Sequence, residues 1–263
     1  MRHLITHDLL ISLALIRRNI KVFRSELVGT LIDGAFLIIT DVILFGYFLP
    51  LMGMPMDNIG PMYIGSIIFM LFFLGENLAL RHVFDLRYER FIDYHLTLPV
   101  KKRWLFAQYI VSFMIESAVM SIPLLTLGAW LLGDRLMMVT LNIPGLIIIY
   151  LLSLIFFGLF FFYLSICSSF DWFMDNIWPR VLSPIYSFGC TVFTWKQLYS
   201  ISPTIGYLAL LNPLTYVSEG MRAAFLGGGE FISVWTCCAV LTVSCVVLIA
   251  ALSRDIYNQL DPI

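Results

Sequence analysis

Six ionisable residues stand in places where an apolar chain holds charge only for a reason. Asp33, Asp41, Glu76 and Glu116 each fall inside a long apolar segment, and Glu219 and Arg222 stand three apart in a short helical pattern after Asn212. A charge at the centre of a membrane span costs roughly 2.5–3.5 kcal/mol on insertion scales, so such groups face a bundle interior or a wet cavity. Asp33 and Asp41, eight residues apart, lie within about 80° of each other on a helix. Asp41 and Glu116 are the deepest, and no basic residue is expected mid-span to pair with them. Both are candidate pathway residues, and neutral packing groups are the alternative reading. Glu219 and Arg222 have the spacing of a pair on one helix face, which eases the burial of both.

Other chemistries lack their residues. The lysines are Lys21, Lys101, Lys102 and Lys196, and none completes a G-x-x-x-x-G-K-[ST] phosphate loop, so the chain is not expected to hydrolyse ATP itself. His3 and His7 share a helix face, but only Asp8 joins them, and no metal site is expected. His82 and His95 fall in a polar connection, and the serines are scattered, so no Ser-His-Asp arrangement can be argued. Cys167, Cys190, Cys237, Cys238 and Cys245 follow neither a disulfide framework nor a zinc pattern and read as small packing residues. No bound cofactor and no nucleic-acid partner are expected.

The elements that position these residues follow from composition. Hydrophobic residues make up 60% of the 263 and charged ones 13%, more apolar surface than a water-soluble domain can hide. The expected fold is an all-α membrane protein with six transmembrane helices, at about 27–50, 61–80, 104–132, 144–167, 181–199 and 231–252. Residues 1–26 hold an apolar run of eight, Leu9 to Ile16, followed by Arg17, Arg18, Lys21 and Arg24. This reads as an amphipathic helix in the membrane interface, with a solvated tail as the alternative. Thirteen of the sixteen Lys and Arg residues lie in 1–26, 81–103, 168–180 and the tail. The positive-inside rule therefore places both termini in the cytoplasm and the stretch around Asn212 outside.

Two connections stand out. Residues 81–103 alternate charges with Phe84, Leu86, Tyr88, Phe91, Ile92, Tyr94 and Leu96, the pattern of a short helix along the membrane face or of a loop with an aromatic rim. Residues 186–227 are too broken to span and too apolar for an ordinary outer loop; Pro203, Gly206 and Pro213 are the expected turning points, and Asn212 an expected helix cap. Trp104, Trp130, Trp178 and Trp195 fall near expected span ends. The run Phe156 to Tyr163 is aromatic all round, which suits tight packing or a ring-lined passage.

Three pieces of the sequence together resemble the ABC-2 family of transporter permeases. Leu210-Leu-Asn-Pro-Leu-Thr-Tyr216, continuing through Glu219-Gly-Met-Arg222 to Leu226-Gly227, is similar to the family's signature after the fifth span. Arg87-Tyr-Glu89-Arg, followed by Leu96-Thr-Leu-Pro99-Val100, looks like its coupling-helix region, and Arg17 to Pro50 like the start of its first span. Phe91-Ile92 and Asp33 depart from the usual family pattern. The resemblance covers nearly all of 1–263, taken as a single transmembrane domain. It implies the membrane subunit of an ATP-driven exporter in the inner, cytoplasmic membrane, moving a drug, a lipid or a polysaccharide outward. It also implies two copies of an ABC ATPase subunit carrying the ATP and magnesium, and a dimer with a like or second permease among membrane lipid. Arg87, Glu89, Arg90, Phe91, Ile92, His95 and Leu96 would dock the ATPase. Asn212, Pro213, Tyr216, Glu219 and Arg222 would belong to a re-entrant outer hairpin within 200–230. A proton-coupled carrier and a membrane assembly factor are the alternatives.

Overall fold

In a computed structural model of the chain, described for residues 2–85, 102–136, 138–228 and 230–260, all regular secondary structure among the described residues is helical. The helices are α1 (Arg2–Ile43), α2 (Leu49–Leu51), α3 (Ile59–Phe84), α4 (Lys102–Leu132), α5 (Ile143–Cys167) and α6 (Phe170–Ile177). There follow α7 (Ser183–Ser187), α8 (Trp195–Ile201), α9 (Pro203–Ala209), α10 (Pro213–Phe225) and α11 (Val234–Leu260). Five segments are long and apolar enough to cross a membrane: 10–51, 56–84, 106–136, 143–167 and 234–254. The protein is therefore a multi-pass, all-α membrane protein in outline.

The structure differs from the sequence reading at two of the expected elements. Residues 1–26 do not form a separate interface helix, because α1 runs unbroken from Arg2 to Ile43. No glycine or proline falls between Arg17 and Val28, so the basic turn passes straight into the apolar segment. The expected fifth span, 181–199, is not one helix. A helical run through α6, a π-helical turn (Trp178–Leu182) and α7 stops at Ser187, and a turn followed by a bend leads to α8 at Trp195. Pro179 and Pro184 lack the N–H that a regular helix needs, and the wider turn absorbs the mismatch. A similar π-helical turn, Leu44–Phe48, precedes Pro50 at the far end of α1.

α3 and α5 form the centre. Ile64, Ile68, Leu71 and Phe72 of α3 are buried, and Phe157, Phe161 and Phe162 of α5 are buried against them. Phe161 meets Phe72 edge-on at 5.2 Å, and Phe162 stacks on Tyr109 of α4 at 5.7 Å. Gly75 of α3 makes room, since a Cβ there would collide with the Phe161 ring. Phe157, Phe161 and Phe162 of the aromatic run thus pack tightly, whereas Phe156 and Phe160 line a cavity of about 310 Å³ with Phe72, Ile185 and Pro213. α11 closes one side against α5 and α10, and α1 lies at the opposite edge, mainly against α4. Val28, Ile32, Phe36, Ile39 and Ile43 form an exposed apolar stripe along α1, which suits contact with lipid or with another helix.

Candidate functional site

The core of the site is the break between α7 and α8. From Phe188 to Thr194 the backbone leaves the helix, with Cys190 at a positive φ of 52°. Carbonyls released in this way and buried must find donors, because a buried site offers no water to satisfy them. α10 supplies those donors from one face. Ser218 Oγ donates to Gly189 O at 2.9 Å, and Thr215 Oγ1, which donates to Ala209 O at 2.7 Å, lies 3.4 Å from Phe188 O. Arg222 donates to Cys190 O at 2.5 Å, Thr191 O at 2.5 Å and Phe193 O at 3.0 Å. Its Nε and Nη2 also reach Pro61 O, at 3.1 and 3.0 Å, at the start of α3. Thr215, Ser218 and Arg222 fall at i, i+3 and i+7, so a single helix face replaces the bonds that the break removes.

Glu219 completes the unit. Its Oε1 accepts from Arg222 Nη1 at 3.2 Å and from the Trp195 backbone N–H at 3.0 Å, while Oε2 lies 3.4 Å from the Ile232 N–H. Both side chains are 0% exposed. Burial pulls the Arg222 guanidinium below its ordinary range, and Glu219 beside it pulls it back up. Thr194 and Gln197 cap α8 reciprocally, with Gln197 N donating to Thr194 Oγ1 at 3.2 Å and Thr194 N to Gln197 Oε1 at 3.0 Å. Gly65 of α3 lets the Thr191 carbonyl approach, since an added Cβ would collide with that oxygen.

Asn212 accepts from the Leu214 N–H at 3.0 Å as the cap of α10, with Pro213 in its first turn, and donates to Ile185 O at 2.6 Å. The Tyr216 hydroxyl donates to Leu210 O at 2.9 Å. α8 and α9 pack on each other as a short helical hairpin, in which Trp195 Nε1 donates to Gly206 O at 2.9 Å. Pro203 and Pro213 stand at turns, but Gly206 does not. It lies within α9, where Tyr199 leaves no space for a side chain. Ile201, Tyr207, Leu208 and Leu211 are exposed on this hairpin.

The two deep acids lie in separate cavities. Asp41 lines one of about 210 Å³ beside the break, with Ser66, Tyr186 and Thr191. Glu116 lines a cleft between α1, α3 and α4, together with Arg81. The sequence reading had placed Arg81 in a cytoplasmic connection and left Glu116 without a basic neighbour. The last turn of α3 carries Arg81 to the cleft, where it donates to Glu26 Oε2 at 3.0 Å. Asp33 is exposed, and Glu76 Oε2 is buried with no partner among the described residues. Arg87, Glu89, Arg90, Phe91, Ile92, His95 and Leu96 lie outside the described residues, as do most of 81–103.

Thr215 and Ser218 escaped the sequence reading, although they continue the polar stripe of Glu219 and Arg222 on a helix that is otherwise mostly apolar. Gly65 and Glu26 were also missed, and no local signal marks them. Nothing among protein-family models, curated proteins or solved structures matches this chain.

Proposed function

We propose that this chain is the membrane subunit of an ATP-driven ABC-2-type exporter, moving a drug, lipid or polysaccharide out of the cytoplasm or inner leaflet. The observation that supports this reading most is the 212–227 segment. The residues that carry the resemblance, Asn212, Pro213, Glu219 and Arg222, act together as one folded device at the break. In the proposed arrangement the run from Phe170 to Thr194 completes a sixth crossing. The α8–α9 hairpin dips into the outer leaflet with its exposed apolar residues, and both termini lie in the cytoplasm of an inner-membrane protein. Two ATPase subunits dock on 87–99, through Arg87, Glu89, Arg90, Phe91, Ile92, His95 and Leu96, and the pathway forms between two permease copies.

The test is to replace Glu89 and Phe91 together by alanine. The expected result is a protein that still inserts but loses both copurification with its ATPase and vanadate-sensitive transport into inverted vesicles. Full transport with normal copurification overturns the docking assignment. A second reading, a proton-coupled carrier, is favoured by one observation, the Asp41 cavity beside a discontinuous helix. Transport that stops with a protonophore and ignores vanadate would select it.

A further inference from the structure

The cleft between α1, α3 and α4 has the chemistry of a binding site that the export reading does not use. It has two lobes. The deeper lobe, about 60 Å³, is lined by Glu26, Arg81 and Glu116 along with Phe23, Phe113 and Ser117. The broader lobe, about 410 Å³, continues past Phe23, Leu78 and Glu116 toward Val22 and Tyr109, and Arg18, His82 and Asp85 also line it.

Charge is not balanced in the deeper lobe. Two carboxylates face one guanidinium, and Arg81 is already engaged by Glu26 at 3.0 Å. The Glu116 carboxylate has no hydrogen bond among the described residues, in a position where an ion without a partner is costly. A second, independent feature is Ser117. It is 1% exposed, and its hydroxyl has no partner among the described residues. Ser121, one turn on, instead returns its hydroxyl to the Ser117 carbonyl at 2.6 Å, which is the usual resting place for a serine in a membrane helix. The lobe thus presents two carboxyl groups against one guanidinium, an idle hydroxyl and two phenyl rings.

We propose that this cleft binds the ammonium group of a membrane amphipath, with the ammonium in the deeper lobe against Glu116, Ser117 and Glu26 and the apolar body along the broader lobe. An ammonium carries three donors and no acceptor, so it satisfies both carboxylates and the serine oxygen together. Phe23 and Phe113 also line the lobe, and an aromatic ring attracts a cation seated over its face. A quaternary head has no N–H to give, so a primary ammonium, with three donors, suits these acceptors better. This assignment requires no ATPase partner and therefore stands or falls apart from the export reading.

Dodecylamine is the probe, added to the purified full chain in phosphatidylcholine nanodiscs, with dodecanol and dodecyltrimethylammonium as comparisons. The expected result is saturable binding of dodecylamine alone. It should weaken at least tenfold in Glu116→Gln and by a smaller factor in Glu26→Gln, and stay unchanged in Asp134→Asn, an exposed carboxylate outside the cleft. Size-exclusion profiles check folding. If Glu116→Gln does not fold, Glu26→Gln decides, because wild-type affinity in that variant overturns the site. Equal binding of dodecanol, or undiminished binding in a folded Glu116→Gln, overturns it as well. Repeating the titration in phosphatidylethanolamine nanodiscs separates the sources: a weaker apparent affinity assigns the site to a lipid headgroup, and an unchanged one to an exported or free amine.

Discussion

Two Arg–Glu pairs in this protein use the same chemical groups for opposite ends. Arg222 and Glu219 meet at 3.2 Å with both side chains 0% exposed, whereas Arg81 and Glu26 meet at 3.0 Å with side chains 61% and 49% exposed. The difference lies in what surrounds each pair. Around Arg222, backbone carbonyls of Pro61, Cys190, Thr191 and Phe193 take up the donors, and Glu219 holds the N-terminus of α8. Such a pair is a structural clamp, and losing either partner strands a buried charge. Around Arg81, a cleft and a second carboxylate leave the charges unbalanced. A pair of that kind contributes little to stability and remains available to a ligand.

The largest expected effect is at the clamp. Arg222→Met should destabilise the fold by roughly 3–5 kcal/mol, the cost of breaking a buried pair. Arg222→Lys should rescue little of it, because one ammonium cannot reach carbonyls spread across the planar fork. Thermal unfolding of the purified protein measures both, and wild-type stability in Arg222→Lys would show that charge alone holds the break.

Gly65→Ala comes next. The new Cβ meets the Thr191 carbonyl, a backbone group already fastened to Arg222, and overpacking of this kind costs roughly 1–3 kcal/mol. An unaffected melting temperature would mean that the break can shift freely, which contradicts the clamp.

The smallest effect on stability is expected at the exposed pair, where Glu26→Gln should cost at most about 1 kcal/mol. A loss as large as that of Arg222→Met would erase the contrast between the two pairs.

Parts of this arrangement were legible in the order of residues. Asn212-Pro213 marks a helix start whatever its surroundings, since the cap and the missing N–H are local chemistry. Glu219 and Arg222 declare their pairing by spacing alone. By contrast, 181–199 reads as a span because its apolar residues suit one, even though the broken stretch begins at 186, and nothing local shows how the carbonyls from Phe188 to Thr194 are satisfied. The donors that make this tolerable lie on α10, about thirty residues away. Residues 1–26 read as a separate helix because their charge pattern changes there, yet a change of charge does not end a helix when no breaker is present.

Composition and local spacing alone establish that this is a multi-pass helical membrane protein, that a helix begins after Asn212, and that most basic residues gather in a few connections. Composition, capping and charge count are properties of short stretches, so they survive without knowledge of the fold. Only the tertiary structure decided that Arg222 holds open a broken helix and that Arg81, Glu26 and Glu116 share a cleft. Those outcomes depend on which helices become neighbours, and an unpaired carbonyl or carboxylate is satisfied or left unsatisfied only by groups that packing brings from elsewhere in the chain.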